Sequence, residues 1–122
     1  MNSIKFKGKT FKVDEDGHLW NVEGYGPEWV VYCLYVNKSL SPKQKIVACL
    51  NKDGSLTDEH YKVMDAMREY YKRNQVVPLP WILSKSCRIP QGRICKLFPA
   101  GIYAGAGKIA GVPSRSTQSQ HW

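Results

Sequence analysis

The stretch LTDEHYKVMDAMREYYKRN, residues 56–74, constrains the fold most strongly because it predicts an amphipathic helix. Thr57 can cap its N-terminus, and Asp58 and Glu59 complement the positive end of the helix dipole. One face recurs at spacings of three and four residues and comprises His60, Val63, Met64, Met67 and Tyr71. A helix with one apolar face needs other elements to cover it, and 122 residues are enough for one modest core.

The segments before this helix predict a hairpin and a further helix. Apolar and basic residues alternate on both sides of Gly8, which favours a β-hairpin over about residues 4–13. PEWVVYCLYVNK begins with Pro27, a residue suited to the first position of a helix, although its β-branched and aromatic content leaves a strand open. The stretch from Pro42 to the turn at Asp53 is ambiguous, and a second short helix from Pro42 is one interpretation.

Two short helices are predicted beyond the connector VVPLP, over Trp81–Cys87 and Pro90–Phe98, with about three residues between them. Such a pair has the outline of a helix-turn-helix. A last short helix is expected over about residues 101–110. The predicted fold class is α+β: a mostly helical domain over residues 1–113 with a helix-turn-helix element and an N-terminal β-hairpin, followed by a flexible C-terminal arm over residues 114–122.

The net charge of +8 is concentrated in one half of the chain. Residues 1–69 contain equal numbers of basic and acidic side chains, whereas residues 70–122 contain eight basic side chains and no acid. This segregation favours an anionic partner, namely nucleic acid, an acidic protein or an anionic membrane surface, and the alternative is a solvated basic face with no partner. Polar and basic side chains on the second short helix would suit phosphates and base edges. With two flanking cations, the predicted nucleic-acid-binding set is Lys85, Arg88, Gln91, Arg93 and Lys96.

The sequence contains no arrangement typical of catalysis. It has no nucleophile–base pair, no P-loop and no paired carboxylates, and no Asp or Glu follows Glu69. The four cysteines form no CxxC motif and have no histidine at ligand spacing, so we expect small buried side chains rather than a metal site at Cys33, Cys49, Cys87 and Cys95. We therefore predict that the protein is not an enzyme and has no catalytic residue, metal or cofactor.

No apolar run approaches the roughly 18 residues of a membrane span. The N-terminal residues MNSIKFKGK lack the apolar core of a secretory signal. We therefore expect a cytoplasmic protein without a membrane partner.

Three motifs carry a resemblance to a known family: FKGKTFKVDEDGHL, LTDEHYKVMDAMREYYKRNQVVPLP and LFPAGIYAGAGKIAGVP. In this order and spacing they resemble the DsrC/TusE family, over about residues 4–119. Its members include the gamma-subunit-like protein of dissimilatory sulfite reductase and the sulfur-relay protein of tRNA 2-thiouridine synthesis. The resemblance implies a role in sulfur metabolism, with dissimilatory sulfite reductase or sulfur-relay proteins as partners.

The resemblance also assigns roles to positions of the last motif. The family carries two redox cysteines, which fall at Gly107 and Gln118 of this chain, and neither residue supplies the thiolate that a persulfide requires. The implied function is a non-catalytic accessory or regulatory protein that docks on its partner. The docking candidates are residues that match the motif, namely Phe98, Pro99, Lys108 and Pro113.

Two alternatives stay open. The first is helix-turn-helix nucleic-acid binding through the basic set above, as a DNA regulator or in tRNA binding. The second is sulfur transfer through a relocated cysteine, for which Cys87 and Cys95 are the candidates. Cys95 is close in sequence to Arg93 and Lys96, which would favour a thiolate, but the inward position expected for its side chain argues against this alternative.

Overall fold

The computed structural model describes residues 2–113, so the predicted arm over residues 114–122, with Gln118, lies outside the described residues. The strands are β1 (Asn2–Phe6) and β2 (Lys9–Val13), and the helices are α1 (Pro27–Asn37), α2 (Asp58–Asn74), α3 (Pro80–Cys87) and α4 (Gln91–Leu97). A 3-10 turn at Val22–Gly24 precedes α1, and a π-helical segment at Ile102–Gly107 follows α4. The predicted α+β class, with an N-terminal hairpin and a mostly helical remainder, is confirmed.

The two strands form an antiparallel hairpin in which Ile4 pairs with Phe11. The turn at Lys7 and Gly8 has positive φ at both positions, 49° and 81°, as a type I′ turn requires. The apolar face packs on α1, where the centroids of the Phe11 and Trp29 rings lie 5.2 Å apart. The hairpin therefore gains its stability against α1, since two strands alone are marginally stable in water.

The linker between α1 and α2 consists of turns and extended backbone, so a helix from Pro42 is not formed. Asn37 at the end of α1 occupies its backbone groups. The Asn37 side-chain oxygen accepts hydrogen bonds from the N–H groups of Ile46 (2.6 Å) and Val47 (3.1 Å), and its amide group donates to the Val47 carbonyl (3.1 Å). A helix would use these backbone groups internally, and the bonds to Asn37 prevent this.

Helix α2 begins at the predicted cap, where the Thr57 side chain accepts a hydrogen bond from the backbone of His60. The His60 side chain completes the cap, because its Nδ1 accepts from the Thr57 N–H (3.0 Å). Its Nε2–H donates to the Ala48 carbonyl (2.7 Å) and ties the helix to the linker. The predicted inner face is buried at His60, Val63, Met64 and Met67 and half-buried at Tyr71.

Helices α3 and α4 are the two predicted short helices and pack against each other in a helix-turn-helix outline. Arg88 ends α3 in the left-handed conformation (φ 59°), and the Ile89 side chain that follows is buried. The Ser84 hydroxyl donates to the Ile89 carbonyl (2.6 Å) and fixes the turn. On α4 the side chains of Ile94 and Leu97 face the core, as predicted.

The last helix differs from the prediction, because it is π-helical over Ile102–Gly107 rather than a regular helix over residues 101–110. The Ala106 N–H donates to the Gly101 carbonyl five residues earlier (3.1 Å), which is the π-helical pattern. Single π-helical turns of this kind are frequent at functional sites. This segment is therefore the first place to look for one.

Gly105 is explained by close packing of this π-helical segment. A Cβ at this position would lie 3.1 Å from both the Ile46 carbonyl oxygen and the Phe98 Cβ. Glycine lets the segment approach the linker and the end of α4, which offsets its usual cost in a helix of about 0.5–1 kcal/mol relative to alanine.

Candidate functional site

The candidate site surrounds Gly107, the first of the two carrier positions that the resemblance implies. Gly107 is buried at the end of the π-helical segment. A Cβ placed there would lie 3.2 Å from the Ile102 carbonyl oxygen and 4.0 Å from Cε1 of His18. At this site the segment that follows α4 therefore lies against the loop that follows β2. Gln118, the second carrier position, lies outside the described residues.

His18 is a buried neutral histidine on a turn that Asp14 organises. The Asp14 carboxylate accepts hydrogen bonds from the N–H groups of Asp16 (2.9 Å) and His18 (3.1 Å). Burial lowers the pKa of the His18 imidazole below its ordinary value, so the ring is neutral at neutral pH. Its Nδ1 lies 3.0 Å from the Val112 carbonyl oxygen, which only accepts, and Nδ1 therefore carries the proton.

Three side chains hold residues 101–113, which we call the anchored segment, by its backbone carbonyls. The Trp29 side chain donates a hydrogen bond to the Lys108 carbonyl (2.8 Å), and the Arg68 side chain donates to the Ala110 carbonyl (3.4 Å). The His18 side chain donates to the Val112 carbonyl (3.0 Å). The donors come from α1, α2 and the loop after β2, so distant parts of the chain converge on alternate residues of one segment. This arrangement fixes the backbone that carries position 107.

Gly111 is a position where only glycine fits the anchored segment. Its φ is +80°, and a Cβ there would lie 2.8 Å from the Cβ of Tyr25. The Arg68 guanidinium stacks on the Tyr25 ring at 3.8 Å from its centroid and pairs with Asp65. Tyr25 and Arg68 thus close over the end of the segment.

The four docking candidates do not lie on one surface. Phe98 is fully buried beside the His60 ring, with centroids 5.4 Å apart, and Pro113 is also buried. Neither presents surface in this structure because both are packing residues of the core. Pro99 and Lys108 are half-buried, so these two residues offer the accessible part of the predicted docking set.

The expectation that the cysteines are small buried side chains is wrong for three of the four. Only Cys33 is buried, and burial raises the pKa of its thiol to about 12. Cys87 is half-buried, and burial likewise raises its pKa. Cys49 and Cys95 are exposed. The inward position expected for Cys95 is therefore incorrect, because Ile94 and Leu97 already form the inner face of α4.

The basic set is divided by an ion pair. Lys85, Arg88, Gln91 and Lys96 are exposed, as nucleic-acid binding would require. Arg93 instead donates from Nε (3.0 Å) and Nη2 (2.7 Å) to the Glu59 carboxylate on α2. These hydrogen bonds lower the pKa of Glu59, and they engage the cation on the helix that would face a nucleic acid.

Residues 2–113 contain no group of three or more His, Cys, Asp or Glu side chains placed to hold a metal ion. In the same part of the chain, none of the helices has the length and apolar character needed to cross a membrane.

Comparison with known proteins finds a family model, sequence relatives and solved structures that all belong to DsrC or TusE proteins. The family model described as DsrC like protein matches residues 5–117. The gamma subunit of dissimilatory-type sulfite reductase from Nitratidesulfovibrio vulgaris is 34% identical over 113 residues, which cover 93% of this chain and 94% of the relative. Sulfurtransferase TusE of Buchnera aphidicola subsp. Schizaphis graminum is 29% identical over 112 residues, covering 86% of this chain and 87% of the relative. The crystal structure of the oxidized gamma-subunit (DsrC) from Archaeoglobus fulgidus superposes with a TM-score of 0.71 at 29% identity and covers 92% of this chain and 95% of that one.

These comparisons confirm the resemblance and the fold that it implied. The names of the relatives refer to sulfite reductase and sulfur transfer, and the nucleic-acid alternative gains no support from them. Sequence reasoning missed His18, Trp29 and Arg68 as the residues that anchor the site. Each contacts a carbonyl between 42 and 94 residues away, and a local pattern carries no signal for such contacts.

Proposed function

The chain belongs to the DsrC-like family, and we propose that it is an accessory or regulatory member that docks on a sulfite reductase or a sulfur-relay protein without carrying sulfur itself. Membership places it among the proteins of sulfur metabolism. The proposal adds that this member acts by binding rather than by sulfur transfer.

The observation that carries the proposal is Gly107. The residue lies in the anchored segment, buried and opposite His18, at the position that the family resemblance assigns to a redox cysteine. A glycine has no sulfur to hold a persulfide, and the carbonyl contacts that anchor the segment do not depend on a side chain at this position. The frame of a carrier site is thus kept while its reacting group is absent.

None of the four cysteines lies in the anchored segment, and Cys95 is exposed on α4. Burial and a pKa near 12 keep Cys33 protonated and out of reach of a partner. Cys49 lies beside α4, with its sulfur 3.7 Å from the Lys96 carbonyl oxygen, and Cys87 contacts the Ser84 carbonyl of its own helix. Both acceptors lie outside the anchored segment, so a sulfur held on either thiol would be presented at a different place from position 107.

Docking is tested by purifying the tagged full-length chain from its source cell and identifying bound proteins by mass spectrometry. We expect a sulfite reductase subunit or a relay sulfurtransferase to co-purify with the wild-type chain. The variant Pro99→Ala/Lys108→Ala removes the accessible docking side chains and should lower the recovered partner by about tenfold.

The matched control is Pro42→Ala/Lys43→Ala, which removes a proline and a lysine that are both exposed on the linker. It should retain the partner in full. Recovery of no sulfur-metabolism protein, or equal recovery with both double variants, would contradict the proposed docking.

A further inference from the structure

We propose that the exposed side chains of Trp81 and Lys85 on α3 and of Arg88 at its C-cap, called here the α3 stripe, bind an acidic protein surface that offers an apolar pocket. The inference goes beyond the docking proposed above, because it concerns a different element and different residues. It names the chemistry of the partner without requiring that the partner be a sulfite reductase.

Two of the three residues share one face of the helix. Trp81 and Lys85 are four residues apart, the spacing that aligns side chains along a helix, and Arg88 is the C-cap residue that follows the last turn. All three are exposed, and Trp81 keeps 58% of its surface in solvent. The opposite side of α3 holds the fold, because Leu83 is fully buried there. The stripe is therefore not needed for the core.

The apolar part of this surface is larger than one side chain. Leu79 is the N-cap residue of α3 and is 50% exposed, so a second large apolar side chain is in solvent two residues before Trp81. Tryptophan and arginine are enriched among the hot spots of protein interfaces, and a tryptophan buries a large area in a pocket of the partner. Trp81 is the anchor in this assignment.

The charge of the surface selects an acidic partner. Within residues 2–113, neither Lys85 nor Arg88 makes an ion pair, and Lys96 on the adjacent α4 makes none either. The chain from residue 70 onward has no acid of its own to balance them. A carboxylate-rich partner would supply that balance and would be steered toward the stripe.

A protein fits this surface better than a nucleic acid does. Arg93 is already bound to Glu59, so Lys85, Arg88 and Lys96 are the cations of this region without an ion pair to any residue between 2 and 113. Affinity for a DNA duplex rises with the number of phosphates that the basic side chains neutralise, and three cations neutralise few. Phosphates would also make no apolar contact with Leu79 and Trp81. An apolar pocket surrounded by carboxylates would bind both the Trp81 side chain and the basic side chains.

The test is a selection from a displayed library of random peptides on the immobilised full-length chain. Enriched peptides should carry an excess of Asp and Glu around an aromatic or aliphatic residue. Synthetic copies should lose affinity by at least about tenfold on Trp81→Ala and on Lys85→Glu/Arg88→Glu. The variant Trp81→Phe retains an aromatic anchor and should keep more of the affinity than Trp81→Ala.

The matched control is Lys43→Glu/Lys52→Glu, which changes the net charge equally at two exposed lysines of the linker. It should change the affinity by less than about threefold, because long-range steering alone is weak at physiological salt. Thermal melts verify that each variant is folded. The proposal is overturned if no peptide is enriched, if enriched peptides are not acidic, if they bind Trp81→Ala as tightly as wild type, or if the stripe binds a DNA duplex more tightly than the peptides.

Discussion

The anchored segment and helix α3 both lie in the half of the chain that has no acid, yet they are built in opposite ways. The anchored segment is rich in glycine and alanine, and its backbone is buried from Gly105 to Gly107 and bound by three distant side chains. Helix α3 places a tryptophan and two cations in solvent. The last of the three motifs that carry the family resemblance includes the first region, whereas the surface proposed for a new partner belongs to the second.

This difference separates two kinds of constraint. Small residues in the anchored segment are explained by close approach, since added side chains at Gly105 and Gly111 would meet neighbouring atoms at 3.1 Å and 2.8 Å. Exposed residues of α3 meet no such limit, so substitution there is free to alter recognition without altering the fold. Close packing therefore constrains the segment, whereas the residues of the proposed α3 stripe can be changed with little effect on the fold.

The largest effect should come from comparing two aromatic residues, Phe98→Ala and Trp81→Ala. Phe98 is fully buried under the anchored segment, and its removal leaves a cavity that should cost about 3–5 kcal/mol of unfolding free energy. Trp81 is mostly exposed, and its removal should change stability by less than about 0.5 kcal/mol. Urea denaturation measures both, and equal losses would break the comparison.

Two glycines give the next effect. Gly111→Ala forces a Cβ into Tyr25 at positive φ and should cost about 2–4 kcal/mol. Gly92→Ala on α4 meets nothing within 4 Å and should leave stability unchanged or raise it by up to about 1 kcal/mol. Chemical denaturation of the two variants decides this. A Gly111→Ala protein as stable as the wild type would show that Tyr25 can move away from the added methyl group at no cost in stability.

Acid should weaken the protein through its two buried histidines. Burial lowers the pKa of both His18 and His60 in the folded chain, so the unfolded chain takes up protons first as the pH falls. Their contribution to stability is complete above the ordinary value of 6.5 and is lost progressively below it, as the pH falls toward the lowered values. Urea midpoints between about pH 5 and pH 8 should fall on the acid side.

The double variant His18→Gln/His60→Gln separates this effect from other groups. It lacks both titrating rings, so its midpoint should vary less with pH than that of the wild type, even if its stability is lower throughout. An unchanged slope would assign the acid sensitivity to carboxylates instead.

The smallest effect concerns surface charge. A double-mutant cycle on Arg93→Ala and Glu59→Ala should give a small favourable coupling that weakens as salt is added, because the pair is partly exposed. Lys85 and Arg88 make no ion pair within residues 2–113. The substitutions Lys85→Ala and Arg88→Ala should therefore each change the free energy of unfolding by less than about 0.5 kcal/mol. Thermal unfolding at low salt resolves the two cases.

Elements with a local pattern were predictable from the sequence. The hairpin around Gly8, the capped helix from Thr57 and the two short helices after residue 80 follow from turn residues, caps and periodicity. The linker was not predictable, because Asn37 and His60 bind its backbone through tertiary hydrogen bonds. The π-helical turn depends likewise on packing against Phe98 and Ile46, which a helical pattern does not reveal.

The candidate site was predictable only in part. The motif pointed to Gly107 and Lys108. The hydrogen bonds of His18, Trp29 and Arg68 to backbone carbonyls of the anchored segment were visible only in the three-dimensional structure. Cysteine burial was misjudged for a related reason. Free cysteine is among the most buried residue types, which favoured burial, but the inner face of α4 was already occupied by Ile94 and Leu97.

The central claim is that this family member keeps the hydrogen-bonded anchored segment around Gly107 but carries no sulfur there. Incubation of the full-length chain with a persulfide donor, followed by intact-mass spectrometry, tests it most directly, with a two-cysteine family member loaded in parallel. The account predicts no stable gain of about 32 Da, the mass of one added sulfur atom, in this chain while the relative is loaded. A stoichiometric gain mapped to Cys49, Cys87 or Cys95 would contradict it.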